Sequence, residues 1–190
     1  MEQDKPQQVV PGVFLVAAPQ LTDPNFRQTV VLICEHGSGG SLGLVINRRA
    51  DQHLAELLPQ ATGLHEKAGL VYLGGPVQTD SLLILHRMDR DVPESRPIFD
   101  GVCLGGELDV LEDLVTHDTG EGLVRVYLGY AGWAPGQLQA ELSTGSWLVL
   151  PAQMGLVFAR DPLRVWPTIL RAQGDAYTLS ATMPPDPSLN

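Results

Sequence analysis

The 190-residue sequence predicts an α+β fold organised around a mixed β-sheet. Two observations carry that expectation. Short runs rich in Val, Ile and Leu recur along the chain, bounded by Gly or Pro, as strands are. Amphipathic helical stretches are fewer, and they are interspersed with the runs without the strict alternation of a doubly wound fold.

In chain order, "VFLVAA" (13–18), "VVLICEH" (30–36) and "LGLVIN" (42–47) read as strands, some of them buried on both faces. The five residues "GSGGS" between the second and third read as a hairpin connection. Folded symmetrically about that loop, the hairpin pairs Cys34 with Leu44 and Val31 with Asn47. "DQHLAELLP" (51–59) is a short helix stopped by Pro59. "LVYLGG" (70–75) and "SLLILH" (81–86) are further strands.

"ELDVLEDLVTHD" sets Leu108, Leu111 and Val115 on one stripe, with acids in its first turn, and predicts a helix from about residue 107. "LVRVYLGY" (123–130) alternates: Val124, Val126, Leu128 and Tyr130 on one face, Arg125 and Tyr127 on the other. "APGQLQAELSTG" gives a helix with Leu138 and Leu142 at i and i+4, ending near Gly145, and "WLVLPA" (147–152) is the last strand. The final helix opens with Asp161 as N-cap and Pro162 at its first position; Pro167 lies deep enough to kink it or shift its start. With no long linker and no internal repeat, residues 1–190 read as one domain, flexible at about 1–8 and 183–190.

Apolar residues make up 44% of the chain, enough for a sizeable core. Acidic residues outnumber basic ones by 22 to 12, a net charge of −10 that favours solubility and disfavours a long polyanion as partner. "MEQDKPQQVV" has neither the basic nor the apolar region of a secretory signal, and no apolar run approaches the ~18 residues of a membrane span. A soluble, cytoplasmic protein follows as the expectation. Two cysteines without an export signal argue against a disulfide framework.

The glycine loop at 37–40 is not a nucleotide loop. A dinucleotide fingerprint starting at Gly37 requires a glycine where Leu42 stands, and no lysine follows Gly43 as a P-loop requires. Cys34 and His36, two apart on a strand, share a face, where a protonated imidazole stabilises a thiolate and Glu35 points away. Cys34 with His36 is therefore the candidate reactive thiol, ahead of Cys103, against the plainer reading of a buried, inert cysteine. Asn47 invites a Cys/His/Asn set, but the expected register places it on the opposite face from Cys34.

The histidines at 36, 53, 65, 86 and 117 show no metal-binding spacing, so neither a metal nor a cofactor is expected. His36 and His86 each end a strand and can converge at one end of the sheet. "LGGPV" (73–77) and "CLGGEL" (103–108) read as tight turns; Glu107 and Asp109 crowd the helix start after the second and argue against an anion there. Arg160, Arg164 and Arg171 line one side of the last helix, away from Leu163, Trp166 and Leu170. They form a solvated face or a docking patch for an acidic partner.

"LGYAGWAPGQLQAEL" (128–142) is the most distinctive stretch, a strand running into a glycine-rich bend and then a helix opened by Pro135. With "AAPQLTDPNFRQTVVLICEH" (17–36), "GLVIN" (43–47), "GGPV" (74–77) and "LH" (85–86), it closely resembles the YqgE/AlgH family of bacterial proteins, in order from about residue 9 to the terminal "DPSLN". The resemblance implies a bifurcated sheet curled into a pseudo-barrel with flanking helices. The family's motif positions fall on Asp23, Phe26, His36, Asn47, Gly74, Gly75, Pro76, His86, Tyr130, Trp133 and Gln137. "VCLGGELDVL" (102–111) departs from the Thr- or Ser-containing turn common in the family.

The family carries the label of transcriptional regulator and has no catalytic set to carry over. The resemblance therefore implies a regulatory protein acting on an unidentified protein partner by contact. Acidic charge and the absence of a recognisable helix-turn-helix argue against direct DNA reading. Two alternatives stand beside it: a small-ligand-binding domain with His36, Asn47, Gly74, Gly75, His86, Tyr130 and Trp133 around its pocket, and a thiol-dependent redox activity at Cys34. No catalytic residues are assigned, and the sequence leans away from an enzyme.

Overall fold

Val, Ile and Leu in short runs suit a pleated, half-buried surface. They form the centre of the sheet in the computed structural model, which describes residues 8–63, 65, 70–87, 91–110, 112, 124–174, 177 and 180–182. Among these residues ten strands are present: β1 (Val13–Ala17), β2 (Val30–Gly37), β3 (Gly40–Val45), β4 (Arg49–His53), β5 (Leu70–Leu73), β6 (Val77–Arg87), β7 (Ser95–Phe99), β8 (Val102–Gly105), β9 (Val124–Trp133) and β10 (Trp147–Pro151). The main path runs β10-β1-β2-β3-β9-β6-β8-β7 and is antiparallel throughout. At β9 the sheet forks, because β5 pairs with it in parallel and β4 pairs with β5. The sheet is thus mixed and bifurcated. It curls into a half-barrel whose β7 end returns towards β1 and β2: Phe99 meets Gly12, and Arg96 bonds Glu35.

The helices described over their whole length flank the sheet: α1 (Leu54–Leu57), α2 (Gln137–Ser143), α3 (Met154–Val157) and α4 (Val165–Ala172). The concave side holds the largest core, where Phe14, Leu32, Leu44, Leu85 and Tyr127 pack under Val157, Trp166 and Leu170 of α3 and α4. Trp166 Nε1 donates to Ala17 O at 2.8 Å and fastens α4 to β1. A second core, with Leu15, Ile33, Trp133 and Trp147, lies under Leu138 of α2. A third joins Leu54, Val71, Val126 and Leu128 on the β4–β5 branch.

Proline chemistry explains the last helix. Asp161 caps a 3-10 turn over Pro162–Arg164, its side chain accepting from Leu163 N at 3.2 Å. The α-helix proper starts at Val165, so Pro167 falls in its first turn, where no N–H is needed. The start shifts and no interior kink is required.

Other expectations need correction. The stretch 51–59 is strand to His53 and helical only over Leu54–Leu57. The helix expected from about residue 107 lies largely outside the described residues, of which 108–110 and 112 are helical. Residues 1–7 and 183–190, expected to be flexible, also lie outside them. On β9, Val124, Val126 and Leu128 share one face as expected, but Tyr130 packs with Tyr127 on the other. Gly129, at φ +64°, breaks the alternation between them. No helix among the described residues is long and apolar enough to cross a membrane.

Candidate functional site

The β2–β3 hairpin is tighter than its glycine run suggests. Gly37 pairs with Gly40, leaving a two-residue turn of Ser38 and Gly39. The register then runs His36↔Ser41, Glu35↔Leu42, Ile33↔Gly43, Leu32↔Leu44 and Val31↔Val45, with Cys34 as the extra residue of a β-bulge. That bulge overturns the expected pairing of Cys34 with Leu44. It also reverses the side-chain order. Glu35, opposite Leu42, shares the concave face with Cys34, and His36, opposite Ser41, turns to the other face.

Cys34 therefore meets no imidazole. Its thiol is 6% exposed, lies 3.6 Å from Leu32 O, and is pushed up in pKa first by burial and then by the Glu35 charge, against a smaller opposing effect of Arg96. Cys103 is less buried, and its thiol is also raised by burial, with a Ser95 hydrogen bond working the other way. In the folded protein, iodoacetamide should alkylate Cys103 well before Cys34, as the plainer reading of a buried, inert Cys34 has it and against the reactive-thiol alternative. Peptide mass spectrometry against time reads this; equal rates at both thiols would show that the hairpin opens.

At the hairpin tip the structure brings three of the expected ligand residues together. An open cleft of about 620 Å³ runs between the tip and the end of β9, lined by Glu35, His36, Ser41, Val77, Tyr130 and Trp133. His36 Nδ1 lies 2.7 Å from Ser41 Oγ, and Ser41 stands opposite Trp133 across the β3–β9 ladder. Ser41 holds one ring nitrogen, which fixes the ring and leaves the other to a ligand. Glu35 is held by the Arg96 guanidinium, whose pKa that bond raises. The cleft offers an oriented imidazole, hydroxyls and an aromatic wall. Ser41 and His36 are within the reach of a hydroxyl and its base, and no third side chain holds the ring among the described residues.

Behind the cleft, the signature stretch builds a rigid corner. The Trp133 and Trp147 indoles both donate to Glu141 Oε2, at 3.0 and 2.8 Å, and their rings cross edge to face at 6.1 Å. Phe26 stacks on Trp133 at 5.9 Å and meets Trp147 at 5.5 Å. Gln137 accepts from Ala134 N and donates to Glu141 Oε1, closing the turn into α2. A family model described as AlgH-like matches residues 14–178, nearly the whole of this architecture. The chain belongs to the AlgH-like family.

Among its relatives, a UPF0301 protein of Anaeromyxobacter is 43% identical over 185 residues, covering 92% of both chains. A UPF0301 protein of Myxococcus xanthus is 43% identical over 171 residues, covering 87% of this chain and 91% of that one. The solution structure of the AlgH protein from Pseudomonas aeruginosa matches with a TM-score of 0.68 and 34% identity, covering 98% of this chain and all of that one. A crystal structure from Corynebacterium diphtheriae matches with a TM-score of 0.79 and 28% identity, covering 96% and 95%.

In this AlgH-like chain the remaining candidate residues lie elsewhere. Asn47 Oδ1 accepts from Val30 N at 2.8 Å and its Nδ2 donates to Gln28 O at 2.9 Å, so it latches the far end of β2. Gly74 and Gly75 lie against the β9 backbone at Gly129 and Tyr130. His86 does not converge with His36. It stands opposite Val124 at one end of β9, whereas Ser41, the partner of His36, stands opposite Trp133 at the other, roughly 30 Å of strand away.

His86 is buried, neither ring nitrogen has a hydrogen-bond partner among the described residues, and burial lowers its pKa. A proton then binds the unfolded chain more tightly than the folded one. This contribution to stability is complete above the ordinary imidazole pKa of about 6.5 and is lost as pH falls through the lower folded value. Urea midpoints should be level near pH 7 and fall on acidification, and the part of that slope due to His86 should vanish in His86→Leu. An identical slope in the variant would assign it to other groups.

The three arginines do not share one helix. Arg160 precedes the 3-10 turn, Arg164 pairs with Asp161 at 3.4 Å, and Arg171 Nη2 donates to Ala181 O at 3.3 Å. Leu163, expected on the apolar stripe, is 36% exposed. Sequence reasoning also missed Ser41, Glu141 and Arg48. Arg48 donates to Asn25 O, Pro24 O and Arg27 O, tying down the loop that presents Phe26. An arginine next to a strand end carries no signal of its own in a single sequence.

Proposed function

We propose that this AlgH-like chain is a single-domain binding protein that takes a small polar ligand in the hairpin cleft and acts on other molecules by contact, without chemistry of its own. The observation that carries the reading is the His36–Ser41 pair at 2.7 Å on the rim of a cleft that Tyr130 and Trp133 also line. A concave site of several hundred Å³ with a few placed polar groups is the usual form of a small-molecule site.

A thermal-shift screen of metabolites and nucleotides tests it. A ligand at a hundred times its Kd adds about 2.7 kcal/mol of stability. The shift should be lost in His36→Ala, while the ligand-free melting temperature stays close to wild type. A full shift in His36→Ala, or no shift from any compound, would withdraw the cleft.

The second reading, a regulator working through a protein partner rather than by direct DNA reading, is supported by the net charge of −10. Duplex DNA should bind weakly and release with modest salt. Sequence-selective, sub-micromolar binding at physiological salt would restore direct DNA reading. The burial of Cys34 gives thiol-dependent activity no comparable support.

A further inference from the structure

Among the described residues the main path of the sheet ends at β10 and β7, and its branch ends at β4. An edge strand offers unpaired backbone groups to any other strand, so folded proteins blunt it with charge or proline. Two of these edges are blunted. β4, "RADQH", carries Arg49 and Asp51 and is mostly exposed, and β7, "SRPIF", carries Arg96 and Pro97. β10, "WLVLP", has no charge at all, and none stands between Glu141 and Arg160. Its proline is the last residue of the strand, where it removes a donor from the end only.

The free edge of β10 is its backbone. Ala18 N donates to Ser146 O and Ala152 N to Gly12 O, both at 3.0 Å, so the even-numbered residues of this strand turn their backbone groups to β1. The N–H and C=O of Trp147 and Val149, and the C=O of Pro151, therefore point away from β1. None of them has a hydrogen-bond partner among the described residues. The side chains are already placed on the two faces: Trp147 and Val149 in the core under α2, Leu148 and Leu150 half-buried on the concave side. Pro151 is exposed.

We infer that β10 pairs antiparallel with β10 of a second copy of this chain, about a two-fold axis at Val149, so that two sheets join into one. In that register Val149 exchanges both backbone bonds with its counterpart, and the Trp147 N–H of each copy meets the Pro151 C=O of the other. All five residues of both strands are paired, and the missing N–H of Pro151 falls at the ends. Leu148 comes opposite Leu150 on the concave face and Trp147 opposite Pro151 on the other, so apolar groups meet on both faces. Each copy has a net charge of −10, and the uncharged β10 lets two of them meet without opposed carboxylates. The chain's own ends suit this edge poorly: residues 1–7 include Glu2, Asp4, Lys5 and Pro6, and residues 183–190 include Pro184, Pro185 and Pro187, which have no N–H to give. The inference goes beyond the binding function proposed above, since no residue of β10 lines the cleft.

Sedimentation equilibrium of the full chain, with amide exchange followed by NMR, tests it. Dimers should form below about 0.1 mM, and the Val149 amide should exchange more slowly in step with the dimer fraction. Added NaCl should tighten the association, because it screens the repulsion of two acidic copies. Pro151→Asp sets a carboxylate at each end of the contact and should raise the dimer Kd at least about tenfold, with a melting temperature close to wild type for the monomer. Pro151→Ala restores the missing donor and should bind as tightly as wild type or tighter. A monomer at every concentration, a dimer that salt dissolves, or undiminished affinity in Pro151→Asp would overturn the inference. So would a Val149 amide that is slow in the monomer, which would mean that the chain itself covers the edge.

Discussion

Gly74→Ala should cost the fold more than about 3 kcal/mol, the range reserved for backbone conflicts that cannot relax. A methyl group built on Gly74 would lie 2.2 Å from Gly129 O and 2.9 Å from Leu44 Cδ2. Neither strand can step aside cheaply, because Gly74 N donates to Leu128 O and Gly74 O accepts from Val45 N, both at 2.8 Å. The residue is wedged between β3 and β9. Gly37→Ala is the matched control, since nothing lies within 4 Å of its added carbon. Urea denaturation of both variants checks the expectation; a loss below about 1 kcal/mol for Gly74→Ala would mean that the two strands are not so close.

The second large effect belongs to Glu141. Its Oε2 accepts from the indoles of Trp133 and Trp147, which are 4% and 5% exposed and have no solvent to turn to. Glu141→Ala leaves two buried donors unmet and should cost about 2–4 kcal/mol. Glu141→Gln keeps an amide oxygen in place and should lose clearly less. Thermal unfolding gives the order of the two variants, and near-ultraviolet circular dichroism reports whether the indoles keep their crossing. Equal losses in Ala and Gln would show that packing of the side-chain stem, and not the acceptor, is what matters.

The central strands were legible because burial on both faces leaves continuous apolar runs, as in "VFLVA" and "VVLIC". Three strands escaped for different reasons. β4, "RADQH", is nearly all exposed and has no apolar period. β7 carries Pro97, which marks an edge strand but weakens its reading as strand at all. β8, "VCLG", is four residues long and reads as the end of a turn. At the site, the hairpin was visible and its bulge was not: one unpaired residue exchanged the faces of Glu35 and His36. The structural roles of Asn47, Gly74 and Gly75 come from contacts with distant strands, which spacing along one sequence does not encode.

β9 also sets the order of events during synthesis. Among the described residues, the strand ladders of the hairpin side, β1 to β3, and of the side formed by β6 to β8 are joined through it, and the β4–β5 branch joins the sheet there as well. Ladders such as Gly43↔Ala131 and Val71↔Val126 join residues 88 and 55 positions apart, so they close late and slowly. A ribosome must release residues 124–133 before the two sides can unite, and until then each presents an open edge to its neighbours in the cell. The fold is therefore most exposed to mispairing as a nascent chain, and a pause in translation before Val124 lengthens that interval.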